Sequence, residues 1–223
     1  MNRTKGGDER RTRILEAAIA VLAREGIGET TTRKIAAQAG VNQAMLRYYF
    51  GSKDELLFAV LQEMMRQARE IVQQATPRGR TLREMVREGL LGFWEQFEAR
   101  PELQVMQYEL TLYALRNPAS AWLASQQYDG YCAVVETLCE EAFAAAGREC
   151  ALPFAELARF IVGGLDGLIL QFISNPDPAR ARRDLDVLAD AVVALAEGKS
   201  QSHHGSPIRP PGRDRLPQGE VYF

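Results

Sequence analysis

The amino-acid sequence predicts an all-α protein: a small three-helix head followed by a larger helical bundle, about nine helices in all. Three observations carry that expectation. Apolar residues recur at spacings of three and four almost everywhere, and no segment alternates apolar and polar as a half-buried strand does. Residues that start or stop helices fall between the periodic segments. With 223 residues and 46% hydrophobic content, the chain can bury a sizeable core in one large or two small domains.

The first helix is expected from about Asp8 to Arg24, with Ile14, Leu15, Ala18, Ile19 and Leu22 on one stripe, and Glu25-Gly26-Ile27-Gly28 ends it. Hydroxyls of Thr30, Thr31 and Thr32 can cap a short second helix to Ala39. Gly40-Val41-Asn42 is a tight break, and Asn42 caps a third helix, Gln43 to Phe50. Gly51-Ser52 stops it and opens a long fourth, Lys53 to about Ala75. Pro77 and Gly79 mark a connection. A fifth helix spans about Thr81 to Ala99, and Pro101 starts a sixth, to Arg116. Pro118 restarts the chain into a long seventh that Gly147 ends. Pro153 opens the eighth, to Ser174, and 175-NPDP-178 breaks it before a ninth, about Ala179 to Glu197. The expected division is a head over 1–55, a bundle over 56–197, and a disordered tail over 198–223, where Ser, His, Gly, Pro and Arg replace apolar residues.

Composition excludes several classes. The amino end is charged and holds no secretory apolar stretch. The longest apolar run, 160-FIVGGLDGLILQFI-173, is 14 residues and contains an Asp, short of the ~20 that span a bilayer. Three cysteines without a CxxC spacing read as reduced thiols, so a cytoplasmic location and no membrane are expected. No paired carboxylates, Ser-His pair or metal set is visible, and the only histidines, His203 and His204, fall in the tail. Neither catalysis nor a metal or cofactor is expected. The net charge of −2 hides a gradient: residues 1–55 hold ten Lys/Arg against seven Asp/Glu, while 56–197 hold thirteen against twenty. A basic head on an acidic body suits a polyanionic partner for the head alone.

Two short helices joined by a Gly-containing turn are the helix-turn-helix plan. Gly40 supplies the turn, and Ile35, Ala36, Ala39, Val41 and Leu46 are placed to pack the pair. Such a second helix enters the major groove of double-stranded DNA with its amino end at the bases. Gln43 there can bond an adenine and Ala44 can touch a thymine methyl, behind the Asn42 cap. Arg47, Tyr48, Tyr49 and Lys53 suit phosphates, as do Thr31 and Arg33 at the start of the preceding helix. A short exposed helix rich in tyrosine is thereby accounted for.

The segment 31-TTRKIAAQAGVNQAMLRYYFGSKDELL-57 resembles the DNA-binding domain of the tetracycline-repressor (TetR) family. Thr31, Ile35, Ala36, Ala39, Gly40, Val41, Leu46, Tyr49, Phe50, Lys53 and Leu56 match its pattern in type and spacing, while Arg47 stands where a Tyr is usual and Ala44 where a Gly is frequent. The resemblance covers about residues 10–57, and beyond them only the all-helical architecture agrees. It implies a homodimer that binds a palindromic operator, usually repressing, and releases it when a small-molecule effector enters the larger domain.

It also implies an intersubunit four-helix bundle from the eighth and ninth helices. Gly163, Gly164 and Gly167 cost ~1 kcal/mol each inside a helix, which points to a close backbone approach, and Leu185, Leu188 and Val192 form the facing stripe. An intrachain crossing is the other reading. Asp166, alone among apolar residues, either satisfies a donor at that interface or sits solvated at its rim. Trp94, Phe97, Tyr113, Trp122, Tyr128 and Phe172, with Met106 and Glu109, are the candidate effector contacts. Each aromatic also fits the core, and Glu109 shares a face with Glu102 and Arg116, as on an ordinary solvated stripe. An architectural DNA-binding protein and an activator of the same fold are the alternatives, although the former has no need of the acidic, aromatic-rich bundle.

Overall fold

A computed structural model describes residues 5–75 and 81–198. The expected connection at Pro77 and Gly79, the histidines His203 and His204, and the expected tail after Gly198 lie outside the described residues. Nine α-helices and one 3-10 turn are found among those described, with no strand. They are α1 (Lys5–Glu29), α2 (Thr32–Ala39), α3 (Gln43–Phe50), α4 (Lys53–Ala75), α5 (Leu82–Ala99), α6 (Pro101–Arg116), the 3-10 turn Pro118–Ser120, α7 (Ala121–Ala146), α8 (Phe154–Ser174) and α9 (Pro178–Ala196).

Local chemistry sets the boundaries of the head. The Lys34 amide donates to Thr31 Oγ1 at 3.3 Å, and the Met45 amide donates to Asn42 Oδ1 at 3.0 Å. Gly40 adopts φ 64°, so the amides of Gly40 and Val41 reach the carbonyls of Ala37 and Ala36 and close the end of α2. Ser52 and Glu55 satisfy each other's amides at the start of α4. A helical turn resumes past the expected end of α1, because Gly26 takes φ 74°, ψ 168°, a conformation essentially restricted to glycine, and bends the chain without ending it.

Two apolar cores form. The first joins α1 to α4 through Ile14, Ala18, Leu22, Ile35, Leu46, Phe50, Leu56 and Val60, and it continues into Met106, Leu110 and Ala114 of α6. Each fully buried aliphatic side chain here contributes about 1.5–3 kcal/mol. The second packs α5, α7, α8 and α9 around Trp94, Leu157, Ile161, Ile169, Leu185 and Val192. Helix α4 runs unbroken past residue 55, so head and body share a rigid element there.

Polar ties reinforce that junction. The Ile27 amide donates to Glu109 Oε2 at 2.9 Å, and Asp54 accepts from Tyr113 at 3.2 Å and from Ser120 at 2.5 Å. A Cβ at Gly26 would lie 2.9 Å from Glu109 Oε2. Gly26→Ala is therefore expected to lose about 1–3 kcal/mol in urea unfolding, from the forced backbone conformation and the displaced carboxylate together. A midpoint equal to wild type would show that this bend is relaxed rather than held.

Candidate nucleic-acid interface and cavity

The turn chemistry around Gly40 fixes α3 with Leu46 and Phe50 inward, Met45 and Tyr49 half-buried at the flanks, and the remaining side chains outward. Gln43, Ala44, Arg47 and Tyr48 are exposed, Tyr48 at 76%. An open concavity of about 620 Å3 brings Gln43, Ala44, Arg47 and Lys53 together with Thr32 and Ser52. Gln43 Nε2 donates to Thr32 Oγ1 at 2.5 Å, which holds the side chain and leaves its amide oxygen as acceptor. Thr32, expected from the sequence only as a capping hydroxyl, holds Gln43 instead; its place at the start of α2, next to the amino end of α3, was the available signal.

Arg33 and Arg47 are exposed, and among the described residues neither is engaged in an ion pair. Their charges are free for an anion, whereas Lys34 turns back to Glu25 and the Glu29 carbonyl. Tyr49 is half-buried and meets Tyr48 edge-on at 5.1 Å. Lys53 places its ammonium 5.6 Å from the Tyr113 ring centroid, on the body. Thr31 and Asn42 act as caps, their hydroxyl and carbonyl oxygens accepting from backbone amides, which leaves the Thr31 hydroxyl proton and the Asn42 amide NH2 as donors.

A second hollow, about 170 Å3 and partly open to solvent, lies between α4, α5, α6, α7 and α8 of the bundle. Met64, Met65, Met85, Phe93 and Leu165 are among its apolar walls, and Gln104, Gln107, Tyr131 and Asp166 supply its polar atoms. None of the eight expected effector contacts is at this wall. Trp94, Phe97 and Phe172 form an edge-to-face trio in the second core, and Met106 is buried in the first. Glu109 and Tyr113 tie the body to the head. Trp122 is 40% exposed and packs on Phe58, while Tyr128 reaches the cavity only through Asp166. Gln104 and Thr111 of α6 are buried among apolar neighbours, and polar residues at inward positions of that helix were the available signal for a polar-walled hollow.

The polar atoms at the wall pair with one another. Thr111 donates to Gln127 at 2.9 Å, Gln127 Nε2 donates to the Tyr131 hydroxyl at 3.1 Å, and Tyr131 donates to Gln107. The Tyr128 hydroxyl donates to Asp166 Oδ2 at 2.8 Å, and Tyr108 makes a longer bond at 3.4 Å to Oδ1. Burial pushes the Asp166 carboxyl above the ordinary carboxylate range, against the two tyrosine hydroxyls that favour its charged form. Burial and the same carboxylate raise the Tyr128 hydroxyl to about 12, so it stays a donor.

The expected dimer face needs correction. Leu185, Leu188 and Val192 are buried inside the protomer, at 1%, 8% and 0% exposure, and Gly164 makes room for Leu188 of the same chain. The intrachain crossing accounts for those four. Gly163 and Gly167 instead face open space, in a stripe with the exposed Phe160 and Leu170, and Val187 of α9 is also exposed. Helix α8 is also long and apolar enough to cross a membrane by length and composition, but its other face, Leu157, Ile161, Leu165 and Ile169, belongs to the second core.

A capped, outward-facing reading helix on a compact head, joined to a bundle with a hollow between its helices, defines a helix-turn-helix transcriptional regulator. Residues 14–60 match the family "Bacterial regulatory proteins, tetR family", and residues 80–198 match "Tetracyclin repressor-like, C-terminal domain". The chain belongs to the TetR family and is a DNA-binding regulator, not an enzyme. Among its relatives, the HTH-type nicotine-responsive transcriptional repressor HdnoR of Paenarthrobacter nicotinovorans is 28% identical over 186 residues, 83% of this chain and 94% of that protein. The crystal structure of the multidrug binding protein EbrR complexed with imidazole is 30% identical, covers 81% of this chain and 89% of its own, and superposes with a TM-score of 0.57. GusR of Salmonella enterica shares the fold at 21% identity and a TM-score of 0.66, over 87% of this chain and 98% of its own.

Proposed function

We propose that the chain is a cytoplasmic, homodimeric repressor that holds a palindromic operator and releases it when a small molecule enters the bundle cavity. In this reading residues 1–55 read DNA, and 56–197 bind the effector and dimerise. The observation that carries it is the exposure of Gln43, Ala44, Arg47 and Tyr48 on one side of a helix whose other side is core. One such head makes few contacts, and two-fold pairing on adjacent half-sites supplies the rest of the affinity. The uncovered stripe of Phe160, Gly163, Gly167 and Leu170 on α8, with Val187 of α9, is the surface a second copy would cover.

Helix α6 is suited to carry the signal. Gln104 and Gln107 meet the cavity, while Glu109 and Tyr113 of the same helix hold α1 and α4 of the head. An effector that shifts α6 moves both attachments and changes the spacing of the two heads. The chain's similarity to a nicotine-responsive repressor and to a multidrug binding protein supports a small organic effector here.

Fluorescence anisotropy with duplex DNA from the region upstream of its own gene tests the reading. Retention of that duplex over a scrambled one supports it, and equal binding to both favours the architectural alternative. Gln43→Ala is expected to relax preference at one base position of each half-site; an unchanged sequence profile would count against direct readout by Gln43. Arg47→Ala is expected to weaken all duplexes alike and to lower the salt slope by about one unit. A loss confined to one sequence would instead make Arg47 a guanine reader. A promoter-reporter measurement in a deletion strain separates repression from activation.

A further inference from the structure

We infer that the cavity takes a small lipophilic organic cation, an amine bearing one ring, with Asp166 as its counter-charge. This rests on the reading of the cavity as an effector site. Of the residues lining the hollow, Asp166 is the one whose side chain carries charge at neutral pH in its ordinary form. Its recorded partners are the hydroxyls of Tyr108 and Tyr128, both uncharged. A half-buried carboxylate with neutral donors alone is incompletely compensated, and a cation entering beside it completes the pairing.

The other polar atoms make no comparable demand. The Gln107 amide oxygen and the Tyr131 hydroxyl are engaged in the chain that runs on to Gln127 and Thr111, which leaves a ligand fewer neutral partners at this wall. The remaining wall is suited to the organic part. Phe93, Tyr131 and Phe143 offer aromatic rings, and Met64, Met65 and Met85 offer polarisable thioethers, which favour a cation with an aromatic ring attached. Size limits the class. A hollow of about 170 Å3 belongs with engineered cavities of about 150 Å3 that bind benzene, so one ring with a short substituent fits. An anion would meet Asp166 and a body with twenty Asp/Glu against thirteen Lys/Arg over residues 56–197.

The competing role for Asp166 is purely structural: its carboxylate accepts hydrogen bonds from α6 and α7 and so clamps them to α8. Calorimetry on the full chain with three ligands of similar shape separates the two. The ligands are N-methylbenzylamine, a cation at neutral pH; benzyl methyl ether, its neutral counterpart; and phenylacetate. The inference expects the amine to bind wild type on the order of tenfold more tightly than the ether, and phenylacetate to bind weakest. Asp166→Asn keeps the shape and one of the two acceptor oxygens while removing the charge, so it should bring amine and ether to similar affinity while ether binding, helicity and thermal midpoint persist. Asp166→Glu should retain the amine preference.

A wild-type protein that prefers the ether or the acid, or that binds none of the three, overturns the inference, and this comparison needs no variant. An amine preference that survives Asp166→Asn overturns it equally. The structural role predicts instead that Asp166→Asn lowers stability and weakens all ligands together. DNA retention by the ligand-free protein, measured in parallel, reports on the regulator reading separately, so a failed cation site and a failed regulator give different results.

Discussion

Replacing Phe160 and Leu170 together with glutamate is expected to yield a folded monomer that has lost specific DNA binding. Both side chains stand on the outward stripe of α8, at 43% and 50% exposure, while Leu157, Ile161, Leu165 and Ile169 on the opposite face are held in the second core. The change therefore leaves the protomer's packing in place. In a two-fold dimer each residue is buried twice, at about 1.5–3 kcal/mol per side chain. Gly163 and Gly167 lie between them with open space above, which lets two such helices approach closely. Four glutamates near one axis would also repel.

Light scattering should report a monomer, circular dichroism an unchanged helix content, and anisotropy a fall in operator affinity of about 10³-fold or more, toward the non-specific level. A variant that remains dimeric with wild-type affinity would place the subunit contact elsewhere. The exposed Val105, Leu112, Leu115 and Trp122 of α6 and early α7 would then be the surface to test.

What the sequence made legible was local. Caps and stops act within three or four residues, so Thr31, Gly40, Asn42 and Gly147 could be placed from neighbours alone. The reading helix was legible for the same reason: its outward residues are too polar or too large for an eight-residue helix to bury. Periodicity says that a face is buried, but not against what. Leu185, Leu188 and Val192 form a sound apolar stripe that their own protomer uses, and the apolar residues left exposed, Phe160 and Leu170, lie on the helix with the longest apolar run. The cavity was least legible. Its polar atoms come from Gln104 and Gln107, Tyr131 and Asp166 on three different helices, and only the packing angle of α6, α7 and α8 brings them together. Glu109 shares a surface-like spacing with Glu102 and Arg116, yet the bend at Gly26 brings an amide within its reach.

Trp94→Ala is expected to be the most destabilising single change, at about 3–5 kcal/mol, against a total stability of about 5–15 kcal/mol for a domain. The indole is fully buried and meets Phe97 edge-on at 5.1 Å and Phe172 at 5.4 Å, with Phe97 and Phe172 themselves 5.7 Å apart. Alanine removes two ring pairs and leaves a void between α5 and α8 that neighbouring helices can fill only in part. The indole Nε1 has no hydrogen-bond partner in this core, so the tryptophan already carries the cost of a buried donor. Trp94→Phe removes that donor while retaining most of the ring contacts, and it should cost well under half of the alanine change. Urea unfolding of the two variants checks the order. The same pair decides whether Trp94 acts as core or as effector contact. Since it does not line the cavity, affinity of the folded protein for the amine and the ether should stay at wild-type values in Trp94→Phe. A phenylalanine variant of undiminished stability that loses ligand would return Trp94 to the cavity wall and require the hollow to open beyond its present boundary.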